Sequence, residues 1–128
     1  MKRRKIPFIK GREQFQINVA GESFYPDSFA ALCGARKPDG IALPATAQLV
    51  LEDDNPHDRL AVKVAIEGHQ VGHLPREAAR AFRRSVRYGP MSEHEVFECA
   101  ALISGGWDRG GGNAGDFGVK LDLALFDD

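Results

Sequence analysis

Apolar and polar positions alternate in six places along the chain, and each alternation predicts a strand. Phe15, Ile17 and Val19 form the first, ended by Gly21. Ala47 to Glu52 is the second. Ala61 to Ile66 is the third, with Val62, Val64 and Ile66 on one side. Glu67-Gly-His69 makes a tight hairpin into the fourth, Gln70 to Leu74. Val96 to Ile103 is the fifth, and Val119, Leu121, Leu123 and Leu125 mark the sixth. Two stretches carry helical spacing instead. Pro26-Asp-Ser28 opens a short helix over Phe29 to Cys33, and Gly34 closes it. Pro75 starts a second helix that runs to about Tyr88, where Gly89-Pro90 stops it. In it Ala78, Ala79, Phe82 and Val86 share one face, and Arg76, Arg80, Arg83, Arg84 and Arg87 stripe the other.

The connections read as turns and loops. Residues 36–44 hold two prolines and a glycine. Asp53-Asp-Asn-Pro-His-Asp58 is a turn, because Asx side chains and proline both favour turn geometry. The glycine-rich run from Gly105 to Gly118 predicts a mobile hairpin tip. Together these elements predict a mostly β chain with two short helices. The architecture expected is a six-stranded, partly open barrel of OB-like or SH3-like kind.

The chain has 128 residues, enough for one domain and one modest core. Residues 14–128 form that domain, and residues 1–13 form a basic, flexible arm. The 43% apolar content fits a folded protein, and no apolar run approaches the roughly 20 residues of a membrane helix. Met1-Lys-Arg-Arg-Lys5 has the charge of a signal-peptide head, but no apolar stretch follows it. The expectation is a cytoplasmic protein. Cys33 and Cys99 lie far apart with no CxxC pair, which predicts reduced thiols rather than a disulfide framework or zinc ribbon.

Net charge is −1, yet it is unevenly placed. Basic residues collect before Glu13 and again from Arg76 to Arg87. Acidic residues collect at Glu52-Asp-Asp54 and Asp127-Asp128. Such asymmetry permits an anionic partner on one face.

Three segments taken together resemble the HIRAN domain family. They are Val19-Ala-Gly-Glu-Ser-Phe-Tyr25, then Leu51-Glu-Asp-Asp-Asn-Pro-His-Asp58 with Ala61-Val62, then Val71-Gly-His-Leu-Pro-Arg76 with Ala78-Ala79. The resemblance covers roughly residues 14–126. It implies an OB-like barrel that recognises single-stranded DNA at a free 3′-hydroxyl end, in repair or replication-fork processing. A helicase or nuclease is then a candidate partner.

Position by position, the resemblance implies an aromatic at Phe24, with Tyr25 beside it, stacking on a terminal base. Such a stack contributes about 1–3 kcal/mol and tolerates any base. Neighbouring strand positions face opposite ways, so one of the pair is expected in the core, and Phe24 is the one expected outside. Asn55-Pro-His-Asp58 matches the family's Asn-Pro-aromatic-Asp turn, in which the aspartate accepts a hydrogen bond from the 3′-hydroxyl. Asp58 could equally cap its own turn. His57 stands where a tyrosine is usual, and can still stack. Ser23 stands where the best-characterised eukaryotic members carry arginine. His73, Arg76 and Arg80 would meet terminal nucleotides and phosphates, and Phe117 would pack against a base. The arginine stripe reads either as a solvated face or as an anion surface.

No catalytic site, cofactor or metal is expected. The glycine run lacks the Gly-Lys-Ser/Thr and helix of a P-loop. The histidines have no ligand spacing, and the acids of residues 52–58 are contiguous, so they diverge. The other reading open at this level is a protein-interaction adaptor without DNA-end specificity.

Overall fold

The computed structural model describes residues 6–87 and 91–125. The basic residues Lys2 to Lys5, the Gly89-Pro90 helix stop and the acidic pair Asp127-Asp128 lie outside the described residues. The elements in chain order are β1 (Phe8–Ile9), β2 (Ile17–Asn18), a 3-10 turn (Glu22–Phe24) and α1 (Pro26–Cys33). Then come β3 (Ile41–Leu51), β4 (Val62–Ile66), β5 (His69–His73), α2 (Arg76–Arg87), β6 (Val96–Gly105) and β7 (Phe117–Leu121). The seven strands form one sheet in the order β2-β7-β6-β3-β4-β5, with β1 paired to β6. The chain is thus mostly β with two short helices, an OB-like open barrel.

The barrel is clasped at one point. β2 pairs with β7 at one end of the sheet order, and β5 ends the other. Ala20, just past β2, donates its N–H to the His73 carbonyl at 2.9 Å and accepts the His73 N–H at 3.0 Å. Two features of β5 allow this. Between Val64 and Ala65 the register with β4 slips by one residue, leaving Val71 as a bulge. A bulge bends its strand and raises the local twist. Gly72 has φ 154°, and a Cβ there would overlap the Ala20 carbonyl oxygen and the Val19 side chain. Only glycine lets the two backbones approach this closely.

The strand alternation carries the core. In β6, Phe97, Cys99, Ala101 and Ile103 point inward, while Val62, Val64 and Ile66 do so from β4. α2 lays Ala78, Ala79, Phe82 and Val86 on this core, with the Phe82 ring edge-on to Phe97 at 5.2 Å. Glu67 (φ 50°) and Gly68 (φ 81°) give the β4–β5 hairpin the two positive-φ positions its tight turn requires.

The last strand ends at Leu121, short of the Leu123 and Leu125 that the alternation included, and three further stretches differ from the sequence pattern. β3 begins at Ile41, inside the stretch expected as loop, and carries Pro44 within it. Pairing explains this. β3 meets β6 along Ile41 to Val50, but meets β4 only from Ala47 onward. Residues 41–46 are therefore an edge, where a strand proline is tolerated. Phe8–Ile9 add a short parallel pairing on β6, beside Glu98 and Cys99, so the sheet has seven strands rather than six. The 105–118 stretch is folded. Trp107 bridges Lys37, Asp108 bridges Ala114, and the Trp107 indole lies where any side chain at position 115 would stand. Its glycines at 110, 111 and 112 supply positive φ for the tip rather than looseness.

No helix among the described residues is long and apolar enough to cross a membrane. Both cysteines are free thiols. Burial, with Asp122 adding to it, pushes the Cys99 thiol up to about 12, and burial raises Cys33 as well.

Two outcomes follow from this packing. Gly72→Ala should destabilise the fold by about 2–3 kcal/mol, as overpacking does, with a lower urea midpoint and an unchanged m-value. A thiol reagent at neutral pH should modify Cys33 in the native protein and Cys99 only after unfolding. The Cys99 thiol, which ordinarily ionises near 9.0, is pushed up to about 12 in the fold. Its contribution to stability is therefore full below the lower value and is lost as pH rises towards the upper one.

Candidate nucleic-acid interface

The β3–β4 loop is built by its own side chains. Asn55 accepts the N–H groups of His57 (2.9 Å) and Asp58 (3.2 Å) on one oxygen, closing an Asx turn around Pro56. Its amide nitrogen donates to Glu52 Oε1 at 3.3 Å. Asp58 Oδ1 accepts the Leu60 N–H at 2.9 Å. The capping role open to Asp58 in the sequence is thus real, and it occupies one carboxylate oxygen. The other, Oδ2, lies 3.9 Å from Arg76 Nε. Asp58 is largely covered, whereas Arg76 is mostly exposed.

Two neighbours hold this loop from outside. His73, at the end of β5, brings Nε2 to 2.7 Å from the same Glu52 oxygen that Asn55 reaches. Arg83, on the flank of α2, donates from Nε to the Leu60 carbonyl (2.8 Å) and from Nη2 to the Ala61 carbonyl (2.9 Å). Its Nη1 meets Asp53 at 2.7 Å. The side chain is only 15% exposed, so Arg83 is a latch and not part of the solvent stripe. Sequence reasoning missed both parts. Glu52 was visible only as a member of an acidic run. Arg83 sits one turn from Arg87, and helical spacing alone cannot tell a latch from a surface charge.

Across the Ala20–His73 bridge stands the aromatic segment. Phe24 is not on a strand but on the 3-10 turn, introduced by Gly21 at φ 80°. It is 81% exposed, the largest exposure of any big apolar side chain described. Tyr25 is half-buried, and its hydroxyl accepts from Gln70 Nε2 at 2.9 Å. Phe24 is thus the outer member of the pair, for a reason other than strand alternation. His57 is exposed on the loop.

Phe117 opens β7. Its ring stacks parallel on Phe29 at 5.4 Å, and the Arg36 guanidinium lies 5.4 Å from its centroid. Arg36 also pairs with Asp116 at 3.0 Å. Together with Glu22, Ser23 and Pro26 these rings line a cleft of about 340 Å³ on the β7 side of the 3-10 turn. The fold therefore joins Asn55, Asp58 and Arg76 by direct contacts, ties His73 to them through Glu52, and places Phe117 in a cleft lined by Glu22 and Ser23 of the turn that carries Phe24.

Among the described residues no three His, Cys, Asp or Glu side chains are placed to hold a metal ion. The acids of the loop have other engagements: Asp53 with Arg83, Glu52 with His73 and Asp58 with its own turn. The arrangement can stack a planar ring, accept a hydroxyl proton and pair with an anion.

Fold and interface define a small OB-like barrel whose exposed chemistry suits a strand of nucleic acid. The family model for the HIRAN domain matches residues 13–91, and the chain belongs to that family. HIRAN domains are in general nucleic-acid-binding modules without catalysis of their own. The matched stretch contains the 3-10 turn, the β3–β4 loop, His73 and α2, and ends before β6 and Phe117. No curated protein and no solved structure matches the chain.

Removing the latch should loosen the loop and little else. Arg83→Ala should cost about 1.5–3 kcal/mol, the range for hydrogen bonds to a charged group. Amide exchange at His57, Asp58 and Leu60 should speed up, while amides of β6 stay protected. Uniform acceleration across the barrel would contradict a local latch.

Proposed function

We propose that the protein binds single-stranded DNA at a free 3′-hydroxyl end. The observation that carries this reading is the divided carboxylate of Asp58, with one oxygen fixed in the turn and the other beside Arg76. A hydroxyl donating to Oδ2 would place its neighbouring phosphate near the guanidinium, which pairs well with phosphate oxygens. A 3′-phosphate would set its charge against the carboxylate and be rejected, as would a strand that continues. The exposed Phe24 offers its face to the terminal base, and His57 offers a second ring on the loop. Asn55 and His73 act one step back, holding the loop through its own turn and through Glu52. Tyr25, next to Phe24 in the chain, is anchored to β5 through Gln70.

A reader of 3′ ends belongs beside enzymes that create or consume such ends. That places the module in repair or fork processing, next to a helicase or nuclease.

A second reading has one observation in its favour. Residues 41–46 of β3 are an unpaired edge with Leu43 40% exposed, and an extended peptide could add to it. Such an adaptor would respond weakly to salt, whereas phosphate contacts weaken steeply.

Fluorescence anisotropy with labelled oligonucleotides tests the choice. The wild type should bind a 3′-hydroxyl strand about tenfold or more tighter than its 3′-phosphate counterpart, a difference of about 1.4 kcal/mol. Asp58→Ala should bring the two together. Equal binding of both ends by the wild type would sink the end-reading proposal.

A further inference from the structure

The arginines of α2 divide into two groups by what they touch. Arg83 is consumed by the loop carbonyls and Asp53. Arg76, Arg80, Arg84 and Arg87 fall within an arc of about 80° on a helix of 100° per residue, opposite the buried Ala78, Phe82 and Val86. Arg80 donates to the Arg76 carbonyl at 3.3 Å, a bond within its own helix. Arg84 and Arg87 are exposed, with no ion pair to any described residue.

This pattern is unlike a solvated face. Surface helices in water intersperse charges and gain a few tenths of a kcal/mol from each opposite pair at i,i+4. Here the i,i+4 neighbours 76/80, 80/84 and 83/87 are all arginine, and Glu77 is the helix's one acid. Each such pair costs a similar amount. Arg76 also sits in the first turn, where the helix dipole disfavours a cation. The helix carries a net +4, five arginines against one glutamate, on a chain whose total is −1. Asp53 answers Arg83 and Asp58 lies beside Arg76, which leaves Arg80, Arg84 and Arg87 clustered with no ion pair among the described residues, and that points to a counter-charge supplied from outside.

We infer that the exposed face of α2 is a phosphate track for the backbone of a single strand. It runs from Arg76, beside Asp58, through Arg80 and Arg84 to Arg87, about 16 Å at 1.5 Å per residue. Guanidinium forks suit phosphate oxygens better than ammonium groups, and no lysine lies on this helix. The direction of the track, away from the strand's end, rests on the end-reading proposal. The track itself does not.

The two can fail separately. The Arg84→Ala, Arg87→Ala double variant and the wild type are titrated with 3′-hydroxyl and 3′-phosphate single strands over a range of salt. Each arginine that neutralises a phosphate of a single strand adds about 0.7 to the slope of log affinity against log salt. The double variant should therefore lose about 1.4 from that slope, by the same coefficient, while its preference between the two ends stays as in the wild type. The Arg84→Lys, Arg87→Lys variant should keep the slope, which guards against a folding artefact. An unchanged slope in the alanine variant overturns the track, whatever the end preference. A reduced slope with no end preference in the wild type keeps the track and overturns end reading.

Discussion

The Ala20–His73 bridge is the constraint on which the rest of the structure depends. A six-strand path has two ends, and unpaired ends expose rows of backbone donors and acceptors. Two hydrogen bonds join these ends, and they can form only because Gly72 carries no side chain and Val71 bulges. One side of this clasp leads into Gly21 and the 3-10 turn that lifts Phe24 into solvent. The other leads into Leu74, Pro75 and the first turn of α2. The clasp thus fixes, within a few residues, the aromatic segment, the imidazole of His73 and the guanidinium of Arg76. Loss of the clasp would separate these parts even if every side chain remained.

The β3–β4 loop takes its shape from a small set of satisfied polar groups. Glu52 is the shared acceptor for Asn55 and His73, and Arg83 closes the opposite flank. No buried side-chain polar atom among the described residues lacks a hydrogen-bond partner. A loop held this way meets a ligand with little further ordering, which removes part of the entropic cost of binding. It also explains why Asp58 can serve two ends at once. Its first oxygen belongs to the turn, so the second is aimed without needing a ligand to aim it.

Much of this fold was legible in the sequence because period and burial agree. β4, β5, β6 and both helices follow patterns that a single buried face imposes. Misreadings fall where long-range pairing decides. Pro44 looks like a loop residue until β4 is seen to begin its pairing at Ala47. Phe8–Ile9 become a strand only because β6 still has unpaired length beyond the point where β7 leaves it. The glycines of 105–118 read as slack, yet Trp107 packs on Gly115 and gives them a fixed path. At the interface, the Asn55–Asp58 turn was readable because its geometry is local, whereas Phe24 was singled out by resemblance and stands outside by way of a 3-10 turn rather than strand alternation. Glu52 and Arg83 were not, because each acts on residues about 20 or more positions away. Phe117 was placed by resemblance alone. Its ring is packed against Phe29 under Arg36, in a cleft that Glu22 and Ser23 also line.

A near-neutral chain with its cations gathered on one helix has a consequence for selectivity. Non-specific affinity for nucleic acid grows with every phosphate neutralised, anywhere on the surface. A uniformly basic barrel would grip the interior of a strand as readily as its end, and the terminal hydroxyl would add little to the difference. Here the acidic residues keep the total near zero, and three exposed arginines and the half-buried Arg80 share a single face that starts at Arg76. Electrostatic attraction is then strongest along one line, and that line begins beside the group proposed to distinguish a hydroxyl from a phosphate. On the proposed reading, the long-range term would bring a strand to the helix, while the short-range term at Asp58 would read what stands at its end. Arg83, engaged with the Leu60 and Ala61 carbonyls and Asp53, is withheld from the first term and holds the loop that carries Asp58, so the same helix could serve both without one diluting the other.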